Sequence, residues 1–395
     1  MTTHWPKSYH LKTKNKRLAI IFSGDFPEGN TKNARLKTLA NEMKLEGWDS
    51  TFLSVFPSAF SNTLNLAQSK RWSGFKVIYT GLSRKFVKLR ILRIVQIICG
   101  QLGLMFWVLF LSSKYDTLYF YCPRFTDSIL SMRLAYVLKK RVVVDQTELF
   151  SSEKGSFWHK KEEKWISKYS TVLLVISTRL FEHFKSKKQL NLYKFPIMVD
   201  FERFAMERDE IDYTMGYIGS FASKDNVELL LKAVVELVPH LPKLTLRLIG
   251  YNPAMELLEK EIERMGIGEY VEVTGTVAFN DIPWLLNECD TLLMNRDSSA
   301  FASYGYPIKL GEYFACTKPV VMSDGPGFSE DFEDGNQVYK YKANNVDDLV
   351  EVLRYRYKHI GESDAIAKRG YQYAKDHFAS SKLVPFLANI LNEKQ

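Results

Sequence analysis

The sequence predicts an α/β protein of two domains, each built on a parallel sheet, and three observations lead there. A chain of 395 residues exceeds what one hydrophobic core usually organises. Short apolar runs alternate with amphipathic stretches of helical period, the pattern of parallel strands joined by crossover helices. Charge divides as well: residues 1–200 hold 33 Lys and Arg against 14 Asp and Glu, and the remainder holds 21 against 31. Such a split fits halves with different partners.

In the first half, RLAIIFSG reads as a strand, residues 33–45 as a helix and DSTFLSVF as the next strand, one β-α-β unit. DTLYFYC, a helix around Ser128–Leu138, and RVVVD make another, followed by STVLLVIS. After Asp200 the pattern restarts with YTMGYIGS, a helix over VELLLKAVVEL, LTLRLIG, a helix over MELLEKEIERMG, and YVEVTG. It continues with a helix over DIPWLLNEC, then TLLMNR, a helix over KLGEYFA, and PVVMS. Ligands of such sheets gather at the carboxyl ends of the strands. The loops of interest are therefore GSFASKDN, GYNPA, GTVAFND, NRDSSAFASYGYP and SDGPGF, and the two domains are expected to face a cleft.

Composition is that of an ordinary globular chain, 46% hydrophobic and 25% charged. Cys99, Cys122, Cys289 and Cys316 have no metal or redox spacing and read as reduced thiols of a cytosolic protein. The first residues lack an apolar run before a cleavage site, so no secretion signal is expected. The basic half favours an anionic surface. Nucleic acid is the weaker partner, because the half lacks the interleaved aromatic and basic residues of a strand-binding face. Residues 91–111, ILRIVQIICGQLGLMFWVLFL, nearly suffice to cross a bilayer, but Arg93, Gln96 and Gln101 interrupt them. Shallow docking at a membrane surface suits this segment better than a span.

Lys309, in YPIKLGEYFACTKPVVMSD, poses the chemical question. Pro307 marks a helix start, where the partial positive charge of the backbone disfavours a cation. An anion bound at the same point would satisfy free N–H groups, dipole and lysine together. Glu312 follows three residues later on the same face. A solvated Lys–Glu pair is the plainer reading.

Several stretches together resemble family 4 of the nucleotide-sugar-dependent glycosyltransferases, whose two-Rossmann-domain architecture is called GT-B. GYIGSFASKDNVELLLKA is similar to that family's entry into its second domain, and the run from LRLIGYNPA to TLLMNR to its central portion. KLGEYFACTKPVVMSD resembles the donor-site helix and following strand, FPIMVDFERF the linker, and FPEGNTKNARLKTLANEMKLEGWDSTFLS the opening loop and helix. The resemblance implies an acceptor-side domain over residues 1–200, a nucleotide-sugar domain over 201–378, and a helix over 379–395 crossing back to the first. It implies a hexosyl transfer from a UDP- or GDP-sugar to a glycan or lipid-linked glycan in surface polysaccharide biosynthesis, with retention. It also implies no metal and no cofactor, in keeping with the lack of a DxD run, and a cytoplasmic enzyme peripheral on the inner membrane face.

The implied donor-site residues are Gly219, Ser220, Lys224, Tyr304, Pro307, Lys309 and Glu312, with Gly24 and Gly29 shaping the opposite loop. Glu312 takes the ribose hydroxyls and Lys309 the diphosphate. Asp145 and Glu148 are catalytic candidates on the first domain, and Arg124 an acceptor-side candidate, each equally readable as a cap or surface charge. Two departures stand out. Many members carry a Glu eight residues before the one at 312, where this chain has Tyr304, so it follows a Pro-x-Lys-x-x-Glu-Tyr variant. The usual Arg and Lys of the second-domain entry are replaced by Ser220 and Asp225. A non-catalytic sugar-nucleotide-binding relative and a GT-B epimerase remain open beside the transferase.

Overall fold

The computed structural model describes residues 16–24, 26–27, 31–55, 69–81, 90–149, 157–187, 191–206, 213–222, 225–252, 254–296 and 304–393. The chain forms two compact units, Met1–Pro196 with Ser380–Gln395, and Ile197–Ala379.

In the first unit the strands are β1 (Lys16–Phe22), β2 (Trp48–Ser54), β3 (Ser69–Trp72), β4 (Phe75–Tyr79), β5 (Thr117–Tyr121), β6 (Arg141–Gln146), β7 (Val172–Val175) and β8 (Asn191–Lys194). Their order is β3-β4-β2-β1-β5-β6-β7-β8, and every neighbouring pair is parallel except β3 and β4. Helices α1 (Thr31–Leu45), α2 (Arg90–Leu111), α3 (Ile129–Val137), α4 (Phe157–Tyr169) and α5 (Thr178–Lys185) accompany the sheet. Leu18 to Phe22 of β1 are wholly buried, as a strand covered on both faces requires. The antiparallel β3–β4 edge departs from the all-parallel expectation. Its two-residue turn, Ser73 and Gly74, has φ of 46° and 85°, the left-handed backbone that tight hairpins need.

α2 is long and apolar enough to cross a membrane. One of its faces is nevertheless built into the first unit: Gln96, Leu104, Trp107, Val108 and Ser112 are buried. A Cβ on Gly103 would lie 2.1 Å from the Thr80 carbonyl oxygen, and one on Gly81 would lie 2.8 Å from the Gly100 Cα. These glycines let the helix backbone rest directly on the segment after β4. The opposite face leaves Val95, Ile98, Leu102, Phe106 and Leu109 exposed at intervals of three and four residues.

The second unit holds β9 (Thr214–Ile218), β10 (Thr245–Ile249), β11 (Val271–Gly275), β12 (Thr291–Met294), β13 (Val320–Asp324) and β14 (Tyr339–Lys342). All are parallel, in the order β11-β10-β9-β12-β13-β14. Helices α6 (Val227–Leu237), α7 (Met255–Arg264), α8 (Ile282–Asn287), α9 (Ile308–Ala315), α10 (Val346–Lys358) and α11 (Ile360–His377) surround the sheet. Leu230, Leu231, Val234 and Leu237 of α6 pack with Leu246 and Leu248 of β10 into one core.

α12 (Ser380–Asn392) belongs to the first unit. Ser380 Oγ donates to Glu42 Oε1 at 2.8 Å, at the start of the helix. At its end the Arg141 guanidinium donates to the carbonyls of Ile390, Leu391 and Glu393 at 2.6, 2.9 and 2.8 Å. A cation there satisfies carbonyls that the last turn leaves open and complements the helix dipole.

Asp145, expected as a catalytic candidate, is fully buried at the end of β6. Its carboxylate accepts from Arg35 Nε at 2.8 Å, Arg35 Nη2 at 3.2 Å and the Tyr119 hydroxyl at 2.6 Å. The same guanidinium donates to the carbonyls of Pro196 and Phe195 at 2.6 and 3.0 Å. We therefore assign Asp145 a structural role: it anchors the arginine that ties α1 to the chain beyond β8. Breaking a buried pair strands a charge at a cost of about 3–5 kcal/mol. Arg35→Met should lose that much in denaturant unfolding, and Arg35→Met with Asp145→Leu should lose less than the single change. Equal stability of Arg35→Met and wild type would remove this assignment.

Candidate active site

In the second unit the strand order reverses at β9. β10 and β11 lie on one side of it, β12 to β14 on the other. The crevice at the carboxyl ends of β9 and β12 is thus the place where an open α/β sheet takes ligands. Gly219 and Ser220 leave β9 there, and Asn295 and Arg296 leave β12. The loops are packed tightly: Gly250, at φ +139°, would put a Cβ 1.9 Å from the Gly219 carbonyl oxygen. Asn252 Nδ2 donates to the carbonyls of Ser220 and Phe221 at 3.0 and 2.8 Å.

α9 begins at this point, with Pro307 as its cap rather than inside its first turn. Leu310 N donates to the Pro307 carbonyl at 3.0 Å. Two contacts fix the helix. A Cβ on Gly311 would meet Val199 Cγ2 at 2.3 Å, so the helix lies directly on the 197–199 segment. The Tyr313 hydroxyl accepts from Ile218 N at 3.0 Å, joining the helix to the end of β9.

Lys309 is largely buried. Its Nζ donates to the Tyr217 hydroxyl at 2.6 Å, sits 3.9 Å from the centre of that ring, and lies 3.7 Å from Asp225 Oδ1. A Cβ on Gly219 would approach the same Nζ to 3.1 Å, so a glycine leaves the ammonium room beside the backbone. Asp225 is buried and also gathers the loop, accepting from Ala222 N at 3.2 Å and from Ser220 Oγ at 3.4 Å. Glu312 is partly buried one turn further on. Burial pushes its carboxyl up to about 7, opposed by the charges of Arg203 and Lys309. Arg203 is held over the Phe279 ring at 3.8 Å and donates to the Phe279 carbonyl at 2.9 Å.

The structure therefore brings Gly219, Ser220, Pro307, Lys309 and Glu312 to one edge of the second sheet, with Tyr304 in the segment just before α9. Lys224 lies outside the described residues. Three groups escaped the sequence reading. Tyr217 and Asp225 hold Lys309, and Arg296, about nine-tenths buried, stands at the end of the adjoining strand. The reversal of strand order was the signal available for Arg296, since it makes the residue after TLLMN a neighbour of the one after TMGYI.

In the first unit the reversal falls between β1 and β5. Gly24 follows β1 at φ +106°, its carbonyl accepting from Ser54 Oγ at 2.8 Å. Gly29 lies outside the described residues. Arg124 follows β5, its guanidinium 3.1 Å from His159 Nε2 and its N–H donating to Asp127 Oδ1 at 3.1 Å. Glu148 follows β6, where Gln146 Nε2 donates to its carbonyl at 2.7 Å. Burial, then the Glu148 charge, push the nearby Cys122 thiol up to about 12, so it is no nucleophile at neutral pH. Among the described residues no three His, Cys, Asp or Glu side chains are grouped to hold a metal ion.

Residues 198–373, within the second unit, match the family model described as glycosyl transferases group 1. An uncharacterized glycosyltransferase of Methanocaldococcus jannaschii is 22% identical over 186 residues, 47% of this chain and 50% of that one. The match thus spans about half of that relative's length. Among solved structures, HepE from Anabaena in complex with UDP superposes with a TM-score of 0.73 at 16% identity, over 94% of this chain and 99% of its own. Sucrose-phosphate synthase from Thermosynechococcus elongatus gives 0.74 at 13% identity, over 95% and 98%. The chain as a whole has the GT-B fold, and the greater part of its second unit matches the model of glycosyl transferases group 1.

Proposed function

We propose that the protein is a glycosyltransferase that moves a hexosyl group from a UDP- or GDP-sugar to a glycan or lipid-linked glycan, with retention, at the inner face of a membrane. The observation that carries this reading is Lys309. A part-buried ammonium at the start of α9 and at the reversal point of the sheet presents a cation and helix N–H groups to one anion. Glu312, one turn along, offers two carboxylate oxygens to the two ribose hydroxyls. HepE, which shares the fold, is known in complex with UDP-glucose.

Transfer breaks the bond between the anomeric carbon and the β-phosphate oxygen, and forms one from that carbon to an acceptor oxygen. Lys309, Ser220 and helix N–H groups stabilise the negative charge on the leaving diphosphate. The acceptor proton passes to an oxygen of that diphosphate, so no carboxylate is needed where Tyr304 stands. Our reading needs no metal for this step.

The basic first half and α2 support the membrane location. The exposed face of Val95, Ile98, Leu102, Phe106, Leu109 and Phe110 belongs to a helix with no acidic residue. Arg90 and Arg93 open it in sequence, and Lys114 follows. Apolar side chains flanked by cations suit the interface of an anionic bilayer. α3, which packs against α2, ends at exposed Val137, and exposed Leu138 follows with Lys139 and Lys140.

Three outcomes test the proposal. In calorimetric titration with UDP and GDP, Lys309→Ala and Glu312→Ala should each weaken the bound nucleotide by more than ~1 kcal/mol, as lost charge-assisted contacts do. Nucleotide binding that ignores both changes would sink the donor-site assignment. For pH, a carboxyl titrating at about 7 is roughly nine-tenths protonated at pH 6 and ionised at pH 8. UDP-glucose, which does not titrate there, should bind up to about tenfold more tightly at pH 8 than at pH 6, and Glu312→Gln should flatten the profile. In vesicle flotation the protein should rise with phosphatidylglycerol vesicles and lose them in Phe106→Glu/Phe110→Glu. Wild type left at the bottom of the gradient would refute the lipid surface.

A further inference from the structure

The donor-site entry lacks the cation pair of the relatives it resembles, and Asp225 replaces one of them with the opposite charge. Asp225 is buried and only 3.7 Å from the Lys309 ammonium, so part of the lysine's charge is already answered inside the protein. A diphosphate brings at least two negative charges to this edge, and Lys309 alone does not balance them.

We propose that Arg296 is the second diphosphate cation, and that Asp225 holds Lys309 in place as a stand-in anion. This rests on the sugar-nucleotide reading above. Arg296 is the residue two beyond the end of β12, and β12 pairs directly with β9, with Leu292 opposite Gly216. Both strand ends therefore open onto one crevice, Tyr217 and Gly219 on β9's side and Arg296 on β12's. Neighbouring contacts fix the register. Asn295 Nδ2 donates to the carbonyls of Asp225 and Asn226 at 3.0 and 2.7 Å, so the residue before Arg296 is tied to the residue that faces Lys309. Arg296 N donates to Ser323 Oγ at 3.0 Å, which joins the end of β12 to β13. The guanidinium lies 5.8 Å from the centre of the Phe328 ring, and its charge reaches Tyr217; burial pushes that phenol well above its ordinary range. Lys309 reaches Tyr217 by a hydrogen bond and Arg296 stands at the end of the adjoining strand, and a planar guanidinium suits two phosphate oxygens at once.

The test compares UDP with UMP, and GDP with GMP, on wild type, Arg296→Gln and Arg296→Lys, with melting temperature followed alongside. The β-phosphate preference, Kd of the monophosphate over Kd of the diphosphate, should fall about tenfold or more in Arg296→Gln, as expected for a lost charge-assisted contact. Arg296→Lys should recover part of it. Asp225→Asn, which frees the charge of Lys309 but loosens its place, should change the diphosphate Kd and leave the monophosphate Kd within about twofold. An unchanged preference in a folded Arg296→Gln, or equal loss for both nucleotides, overturns the assignment, since a merely structural arginine would weaken both alike. If Arg296→Gln does not fold, a preference in Arg296→Lys identical to wild type overturns the bidentate role. Wild type binding no nucleotide defeats the donor-site reading itself.

Discussion

A lysine ammonium at the start of a helix is held against the field of that helix, and the second unit is arranged around keeping it there. Three elements contribute. β9 supplies the Tyr217 hydroxyl and ring, its following loop supplies the Asp225 carboxylate, and Gly219 supplies empty volume. The Gly250 backbone and the Asn252 side chain then brace that loop. Each part is costly alone. A buried carboxylate needs a cation, a buried cation needs acceptors, and a glycine gives up chain entropy on folding. Together they form one preorganised edge, whose reorganisation on ligand arrival is limited to exchanging acceptors around one ammonium.

The first unit solves the same problem of a buried charge with a different purpose. Arg35 and Asp145 are both inaccessible, and all their recorded partners are protein groups: a carboxylate, a phenol and two carbonyls. Lys309 contacts the Tyr217 phenol and Asp225 but keeps 15% of its side chain exposed, against 1% for Arg35. That exposure is what separates the two charges.

Much of the fold was legible because strands buried on both faces are continuous apolar runs, as in AIIF, LLVI and VVM, and because helical period returns between them. The β3–β4 edge was not, since SKRW carries no apolar alternation and only its Ser–Gly turn betrays it. Lys309 and Glu312 were legible through a local conflict, a cation where helices prefer acids. The ion pair of Asp145 was not legible: a carboxylate at a strand's carboxyl end looks the same in sequence whether it faces a ligand or an arginine 110 residues away. The position of Arg296 beside the end of β9 was not legible for the same reason turned round. Its significance depends on which strand lies beside which, and strand order is a property of the sheet, not of any short stretch.

Charge balance links these observations into one expectation about how the edge behaves as a whole. In the protein alone, Lys309 is opposed by Asp225, while Glu312 sits near the midpoint of its titration at neutral pH under the charges of Arg203 and Lys309. Each charge at the edge thus has an opposite charge near it before any ligand binds, which lowers the cost of burying it. Under the proposed donor-site reading, a diphosphate arriving at the helix start would not meet a bare cationic pocket. It competes with an internal carboxylate, so the binding energy that reaches the nucleotide is a difference between two anions for one lysine. Such a competition favours a ligand that can also engage a second cation and the ribose-facing carboxylate at the same time. A lone phosphate would offer only the first of these contacts, so the proposed donor site would prefer a nucleoside diphosphate to simpler anions.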